Sequence, residues 1–383
     1  MTELVTLPAA TATDTDSVDF DLHGLCGIRL IGAGRREVQA VARQLGLQPG
    51  VLQDAPDVVV RFVPRIEVHG PLRLLGLDDV AFSDDAFFIL RGKHKTVAKA
   101  QIPVADIGGA CEIVCEHGLV AVPQLIAIIN MAVLGRGALP LHAAAFDWQG
   151  RGVLATGWSK GGKTETLLAF MAHGAHYIGD EWVYLSDDGR MAGIPEPIRL
   201  WAWHLRQLPA LRRRARRDER LKLDLLAAAT RTTRLASRGG RGGGRLAVGA
   251  RRVESALARQ ACLDVPPARL FGAERCVMQG RLDRVLLVMT HAAPHIDVQP
   301  MSSPEVAERM LFSLQEEQMR LLSLYHKFRF AFPGRPNAYL EAVASVQRDR
   351  LARVLHGKRV LRVLHPYPVS LPDLFAAVRD ALQ

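Results

Sequence analysis

The stretch GWSKGGKTE, residues 157–165, constrains this chain more than any other. It stands between an apolar run that ends at Thr156 and a helical pattern that starts at Lys163. The spacing Gly157-x4-Gly162-Lys163-Thr164 suits a loop whose backbone N–H groups wrap an anion, because glycine reaches conformations that a Cβ forbids. The following helix adds the partial positive charge of its N-terminus. Such a loop between a strand and a helix is a phosphate-binding signature. Gly157, Ser159, Lys160, Gly161, Gly162, Lys163 and Thr164 are therefore expected to hold a nucleotide. Lys163 would neutralise the β- and γ-phosphates, and Thr164 would offer its hydroxyl to Mg²⁺. A glycine-rich turn that carries Lys-Thr by chance is the competing reading, and the flanking strand and helix weigh against it.

The neighbouring segments extend the pattern. LPLHAAAFDW reads as one strand and GVLAT as the next, with Gln149-Gly150 as a hairpin turn between them. With those two residues at the centre of the turn, His142 falls opposite Gly157 and its imidazole beside the phosphates. A histidine satisfied in the core fits the same position equally well. The helix KTETLLAFMAHG ends at Gly174, and HYIGDEWVYLS is the following strand. It carries Asp180 and Glu181, and adjacent carboxylates in an apolar strand are costly to bury unless paired with a cation or a proton. Alternation would turn the two to opposite faces, one toward the phosphates and one toward a metal. A solvated strand end is the bland alternative. Glu196 and Arg199, in IPEPIRLWAW, follow closely enough to reach the same place, or form an exposed pair beside a proline turn.

The remainder of the chain is less specific. Residues 1–15 are Thr/Ala-rich and acidic, and are expected to be disordered. Residues 16–117 alternate short apolar strands (CGIRLIG, DVVVRFV, AFFILRGK) with the helix REVQAVARQLG, closed by Gly46. This pattern predicts a small α+β domain. Residues 118–383 would form the second domain, with an apolar helix over 120–135. RLDRVLLVMTH is a buried strand, SPEVAERMLFSLQEEQMRLLSLYHKF one or two amphipathic helices, KRVLRVLHPYP a strand and LPDLFAAVRDALQ a last helix.

Charge and cysteine content narrow the setting. The net charge is +10, but residues 206–259 carry sixteen Arg/Lys against four Asp/Glu, so the rest of the chain is slightly acidic. LRRRARRDERLK reads as a charged helix and SRGGRGGGR as a flexible loop. The insert lacks interleaved aromatics and any known RNA- or DNA-binding module, which argues against nucleic acid. A solvated surface is the first reading, and an acidic substrate or partner the second. The five cysteines form no zinc spacing, and neither a secretory leader nor a clean membrane span is visible, so a cytoplasmic protein without membrane insertion is expected.

The segment 141–185, LHAAAFDWQGRGVLATGWSKGGKTETLLAFMAHGAHYIGDEWVYL, resembles the catalytic core of HPr kinase/phosphorylase and its relatives. In that family a histidine precedes the loop, the loop reads G-x-S-G-x-G-K-[ST], and an Asp-Asp pair closes the next strand. His142, then Gly157, Ser159, Gly162, Lys163 and Thr164, then Asp180 and Glu181 fill those positions. The resemblance implies a phosphoenolpyruvate-carboxykinase-type α/β fold, with a mixed sheet and flanking helices. It also implies transfer of a phosphoryl group from Mg²⁺-ATP to a serine hydroxyl. Asp180 would be the general base, His142 and Lys163 would lie at the phosphates, and Thr164, Asp180 and Glu181 would bind metal. Two positions depart: Lys160 stands where the family has glycine, and Glu181 replaces the second aspartate. The family's later glycine-rich segment is missing; RLFGAERC, 269–276, shares only three letters of it. The HPr substrate and the reverse phosphorylase activity therefore do not carry over. The strand LPLHAAA and the divergent N-terminal domain are closer to HPr-kinase-like proteins found beside peptide-biosynthetic genes. The expected acceptor is a peptide or protein hydroxyl, with a small alcohol, or water in an ATPase regulatory module, as alternatives. HPr kinases are hexameric, which makes a homo-oligomer one expectation of the resemblance.

Overall fold

The computed structural model describes residues 17–76, 79–90, 98–214, 216–239 and 262–382. The expected disordered N-terminus and most of the Gly/Arg loop lie outside these residues. The protein is mixed α/β and divides into two compact units. The first comprises Met1–Gly137 with Gln318–Val343, and the second Ala138–Glu317 with Ala344–Gln383.

The first unit is built on one eight-stranded sheet. Its strands are β1 (Ser17–Leu22), β2 (Cys26–Ile31), β3 (Val58–Val63), β4 (Arg73–Leu74), β5 (Val80–Phe82), β6 (Ala86–Leu90), β7 (Ala98–Pro103) and β8 (Cys111–Glu116), in the order β1-β2-β3-β8-β7-β6-β5-β4. Pairing is parallel at β2-β3 and β3-β8 and antiparallel elsewhere. Helix α1 (Arg35–Leu45) crosses between the parallel strands β2 and β3 and stops at Gly46, whose φ of 65° a Cβ would disfavour. Helix α2 (Leu125–Gly135) packs on β2 and β3, because its sequence is apolar all round and needs cover on several sides. The sequence expectation placed 118–137 with the second domain; this packing places it with the first unit. No helix among the described residues is long and apolar enough to cross a membrane.

The second unit carries a nine-stranded mixed sheet. Its strands are β9 (Ala138–His142), β10 (Ala144–Trp148), β11 (Arg151–Thr156), β12 (His176–Gly179), β13 (Trp182–Ser186), β14 (Arg190–Gly193), β17 (Gln279–Thr290), β18 (Asp297–Met301) and β19 (Arg359–His365). A separate ribbon pairs β15 (Ile198–Trp201) with β16 (Cys262–Val265). The helices are α3 (Lys163–Ala172), α4 (Ala202–Gln207), α5 (Pro209–Arg214), α6 (Arg217–Gly239), α7 (Pro267–Phe271), α8 (Ser303–Ala331, to Glu317 in this unit), α9 (Ala338–Leu355, from Ala344) and α10 (Leu371–Leu382). The predicted charged helix is thus two helices, α5 and α6.

Strands β11, β17 and β19 are parallel neighbours, and their C-terminal ends lie together. Ligands of α/β sheets bind at such ends, where loops and helix N-termini converge. Behind them, Phe146 stacks on Phe170 at 4.7 Å, and Phe375 of α10 packs edge-on to Phe170 at 5.1 Å. This aromatic cluster fixes α3, and with it the start of the helix, against the sheet.

Two strand expectations need correction. LPLHAAAFDW is two strands, split at Ala143, where the chain stops pairing with β13 and starts pairing with β11. The hairpin register itself holds: Ala144 faces Ala155, and Gln149 and Gly150 have φ of 56° and 78°, the left-handed pair of a type I′ turn. His142 therefore faces Trp182 on β13, and not Gly157. HYIGDEWVYLS is likewise β12 and β13 with a break at Asp180-Glu181.

Candidate active site

Every residue of the candidate site belongs to the second unit. Strand β11 delivers the chain to Gly157, and α3 begins at Lys163. Between them the loop presses against the neighbouring strands. A Cβ on Gly157 would meet the Val288 carbonyl oxygen at 2.3 Å, and one on Gly162 would meet His365 Nε2 at 1.9 Å. Both glycines have positive φ, 144° and 107°. Glycine is required here twice over, by backbone conformation and by space. Gly161 N–H donates to the Trp158 carbonyl at 3.0 Å and closes the loop on itself. No side chain caps α3, so the N–H groups of its first turn remain available to an anion.

Trp158, Ser159 and Lys160 form the exposed crest of the loop. Lys160 has a φ of 62°, left-handed for a residue with a Cβ. Such a residue costs on the order of 1 kcal/mol, which accounts for glycine being the easier choice at this position.

Lys163 is buried, and its Nζ donates to the carbonyls of Gly157 at 3.3 Å and Trp158 at 3.0 Å. Burial lowers its pKa, opposed by the carboxylates of Asp180, Glu181, Glu317 and Glu165. Thr164 Oγ1 donates to the Asp180 carboxylate at 3.1 and 3.2 Å. Asp180 is 3% exposed. Burial, aided by the neighbouring Glu181 charge, pushes its pKa up to about 7 against the pull of Thr164 and Lys163.

Glu181 turns the other way. Its φ is 69°, at the break between β12 and β13, so strand alternation no longer decides where it points. His142 Nε2 donates to Glu181 Oε2 at 2.9 Å, and His142 Nδ1 donates to Glu317 Oε1 on α8. Both partners are carboxylates, so a ring that makes both bonds carries both protons and is cationic. Burial disfavours that charge, but the bonds to Glu181 and Glu317 outweigh it and hold the pKa at about 9. The bond from His142 lowers the Glu181 pKa against burial.

Lys163, Thr164, Asp180, Glu181 and His142 thus lie near one another, with His142 held at Glu181 and not opposite Gly157. Glu196 lies close enough to be perturbed by Glu181 and Asp180; with burial as the larger cause, its pKa rises to about 8. Its Oε2 is buried without a hydrogen-bond partner. Arg199 lines the cavity and is tied to Asp264 at 2.8 and 3.1 Å.

Several residues were missed. Glu317 gave no signal, being one acid among several on an amphipathic helix. Ser313, a turn before it, donates to the Gly157 carbonyl at 3.3 Å. His365 is fully buried at the end of β19, and its Nε2 meets the Gly161 carbonyl at 3.1 Å. A histidine closing an apolar strand just before Pro366 was the available clue. His204 accepts the Trp201 N–H at Nδ1, 3.2 Å, which places the proton on Nε2, 3.2 Å from Glu165 Oε1. The loop, α3, Glu181, β15 and the ends of β17 and β19 enclose a cavity of about 640 Å³, large enough for a nucleotide. No protein-family model matches this chain, and no curated protein matches it.

Proposed function

We propose that the second unit is a phosphotransferase of the HPr-kinase-like type, moving the γ-phosphoryl group of ATP to a hydroxyl of a peptide or protein. The observation that carries this reading is the Thr164–Asp180 contact beside Lys163. It joins the start of α3, where phosphates would sit, to a buried carboxyl whose pKa lies near neutrality. Phosphoryl transfer asks a protein for little more than that: positioning, charge neutralisation and one base.

In the proposed reaction Asp180 accepts the proton of the acceptor hydroxyl. The hydroxyl oxygen forms a bond to Pγ as the bond from Pγ to the β–γ bridging oxygen breaks, and ADP leaves with that oxygen. Lys163 releases the carbonyls of Gly157 and Trp158 and turns its ammonium to the phosphates. The His142 cation, held from behind by Glu317, adds a second positive group at the reacting end. Lys160, exposed on the loop crest, favours an acceptor with negative charge near its hydroxyl.

Among the described residues, no group of three His, Cys, Asp or Glu is placed to hold a metal ion by itself. Mg²⁺ suits such a site, because it is commonly bound by one or two carboxylates together with substrate phosphates. Thr164 and Asp180, already in contact, would hold it, whereas Glu181, expected from the sequence as a third ligand, is engaged by His142. Bound there with ATP, Mg²⁺ would supply charge neutralisation at the phosphate oxygens.

The test uses γ-labelled ATP, Mg²⁺ and an extract or Ser/Thr peptide library. Label should appear on a hydroxyl acceptor with the native protein. It should be absent with Asp180→Asn, which should still bind ATP. Release of the label only as inorganic phosphate, whatever acceptor is offered, would overturn the reading.

A further inference from the structure

The cavity has two chemically different ends. One holds Lys163, His142 and Glu181 and is charged. The other is walled by Trp201 and Tyr367, with Glu165 and His204 between the aromatic wall and the start of α3. The proposed phosphoryl transfer uses only the first.

The aromatic wall is built, not incidental. Trp201 ends β15 and caps α4; its backbone N–H donates to His204 Nδ1, and His204 Nε2 donates to Glu165 Oε1 on the first turn of α3. This chain of bonds ties the backbone that carries Trp201 to the helix that follows the glycine-rich loop. Trp203 lies against His204 at 4.0 Å, and Tyr367 stands edge-on to Trp203 at 5.9 Å and 87°. Tyr367 is 62% exposed, and Trp201 is only partly buried. Two large aromatic residues thus line the cavity instead of completing the core.

A linear phosphate chain links the two ends. Its reacting end must lie by Asp180 and Lys163, where the base and the ammonium are. The other end then leaves the loop past Thr164 and Glu165, toward Trp201 and Tyr367. We infer that Trp201 and Tyr367 form the nucleobase subsite, holding the base of a nucleoside di- or triphosphate by stacking while the glycine-rich loop holds its phosphates. This rests on the reading that the loop binds a nucleotide. Every base has a π-face, so such a platform supplies affinity with little choice among bases. It also leaves the His142 side free for the acceptor.

The experiment compares two probes on the full chain by titration calorimetry: ADP, which carries a base, and inorganic tripolyphosphate, which does not. Trp201→Ala and Tyr367→Ala should each weaken ADP by roughly tenfold. Both should leave tripolyphosphate within about twofold of its native affinity, because the loop is untouched. Trp201→Phe, which keeps a ring, should recover most of the ADP affinity. ADP affinity unchanged in both alanine variants, or equal losses for the two probes, would overturn the subsite. Lys163→Ala separates this from the underlying reading: it should weaken both probes, and if it weakens neither, the loop is not a phosphate site at all.

Discussion

Two sets of buried polar groups, one from each unit, are satisfied in opposite ways. In the first, Asn337 spends its side chain on backbone: Nδ2 donates to the carbonyls of Val104 at 2.7 Å and Ile107 at 3.0 Å, and Oδ1 accepts the Leu340 N–H at 2.9 Å. Glu37 accepts the Gly118 N–H at 3.1 Å, and that bond lowers its pKa. These groups are saturated, and their work is to tie segments of chain together. In the second unit Asp180 is held by one threonine hydroxyl, Glu196 has a buried oxygen with no partner, and both carboxyls are pushed up toward neutrality. Buried polar groups that are fully bonded stabilise a fold. Those left short of partners cost stability and are kept where a ligand or a proton completes them.

The sharpest break of this comparison is Asp180→Asn. In the proposed reaction it removes the general base, so transfer should fall by about 10²- to 10⁴-fold in a label-transfer assay. The same change should stabilise the unliganded protein above pH 7. A carboxyl with a raised folded pKa binds more protons folded than unfolded, so its stability falls as pH rises from the unfolded value to about 7. The ceiling of the effect is on the order of 4 kcal/mol, from a shift of about three units. It should vanish near pH 4, and thermal melts at the two pH values check it. A variant that melts lower than the native protein at pH 8 would place Asp180 with the structural groups.

Asn337→Ala should do the reverse. It leaves three backbone groups of the first unit without their partner and should cost about 3 kcal/mol in denaturant unfolding. KM for ATP should stay at its native value.

The pH profile comes next. With Asp180 needed ionised and His142 needed charged, kcat/KM should rise about tenfold per unit below pH 7 and fall likewise above pH 9. Glu317→Gln removes one of the two carboxylates that hold His142 charged, so the alkaline limb should move to lower pH. An unmoved limb would show that His142 is not the group responsible. The smallest effect is expected for Lys160→Gly. The relief of a left-handed backbone and the added freedom of the unfolded chain are each about 1 kcal/mol and opposed, so stability should barely change. Affinity for an anionic ligand should drop about two- to threefold in a salt-dependent way.

Local patterns made much of this site legible. The loop, its helix and the hairpin could be read because each depends on residues near in sequence: glycines at fixed offsets, a two-residue turn, a 3.6-residue period. The strand breaks at Ala143 and at Asp180-Glu181 could not, because each apolar run is continuous and the break is imposed by a change of pairing partner. That change also redirected His142, which reaches the site through Glu181 and not by facing Gly157.

The glycine-rich loop, and the ammonium, hydroxyl and carboxyl beside it, were legible in the sequence alone, since these lie within one strand-loop-helix-strand segment. What surrounds them depends on long-range packing. Glu317, His365, Trp201 and Tyr367 come from segments up to two hundred residues away, brought in by the pairing of β11, β17 and β19 and by the packing of α8 and α4. Glu317 and His365 contribute charge and burial and the two aromatics a cavity wall, and these are properties of a packed neighbourhood that no local spacing encodes.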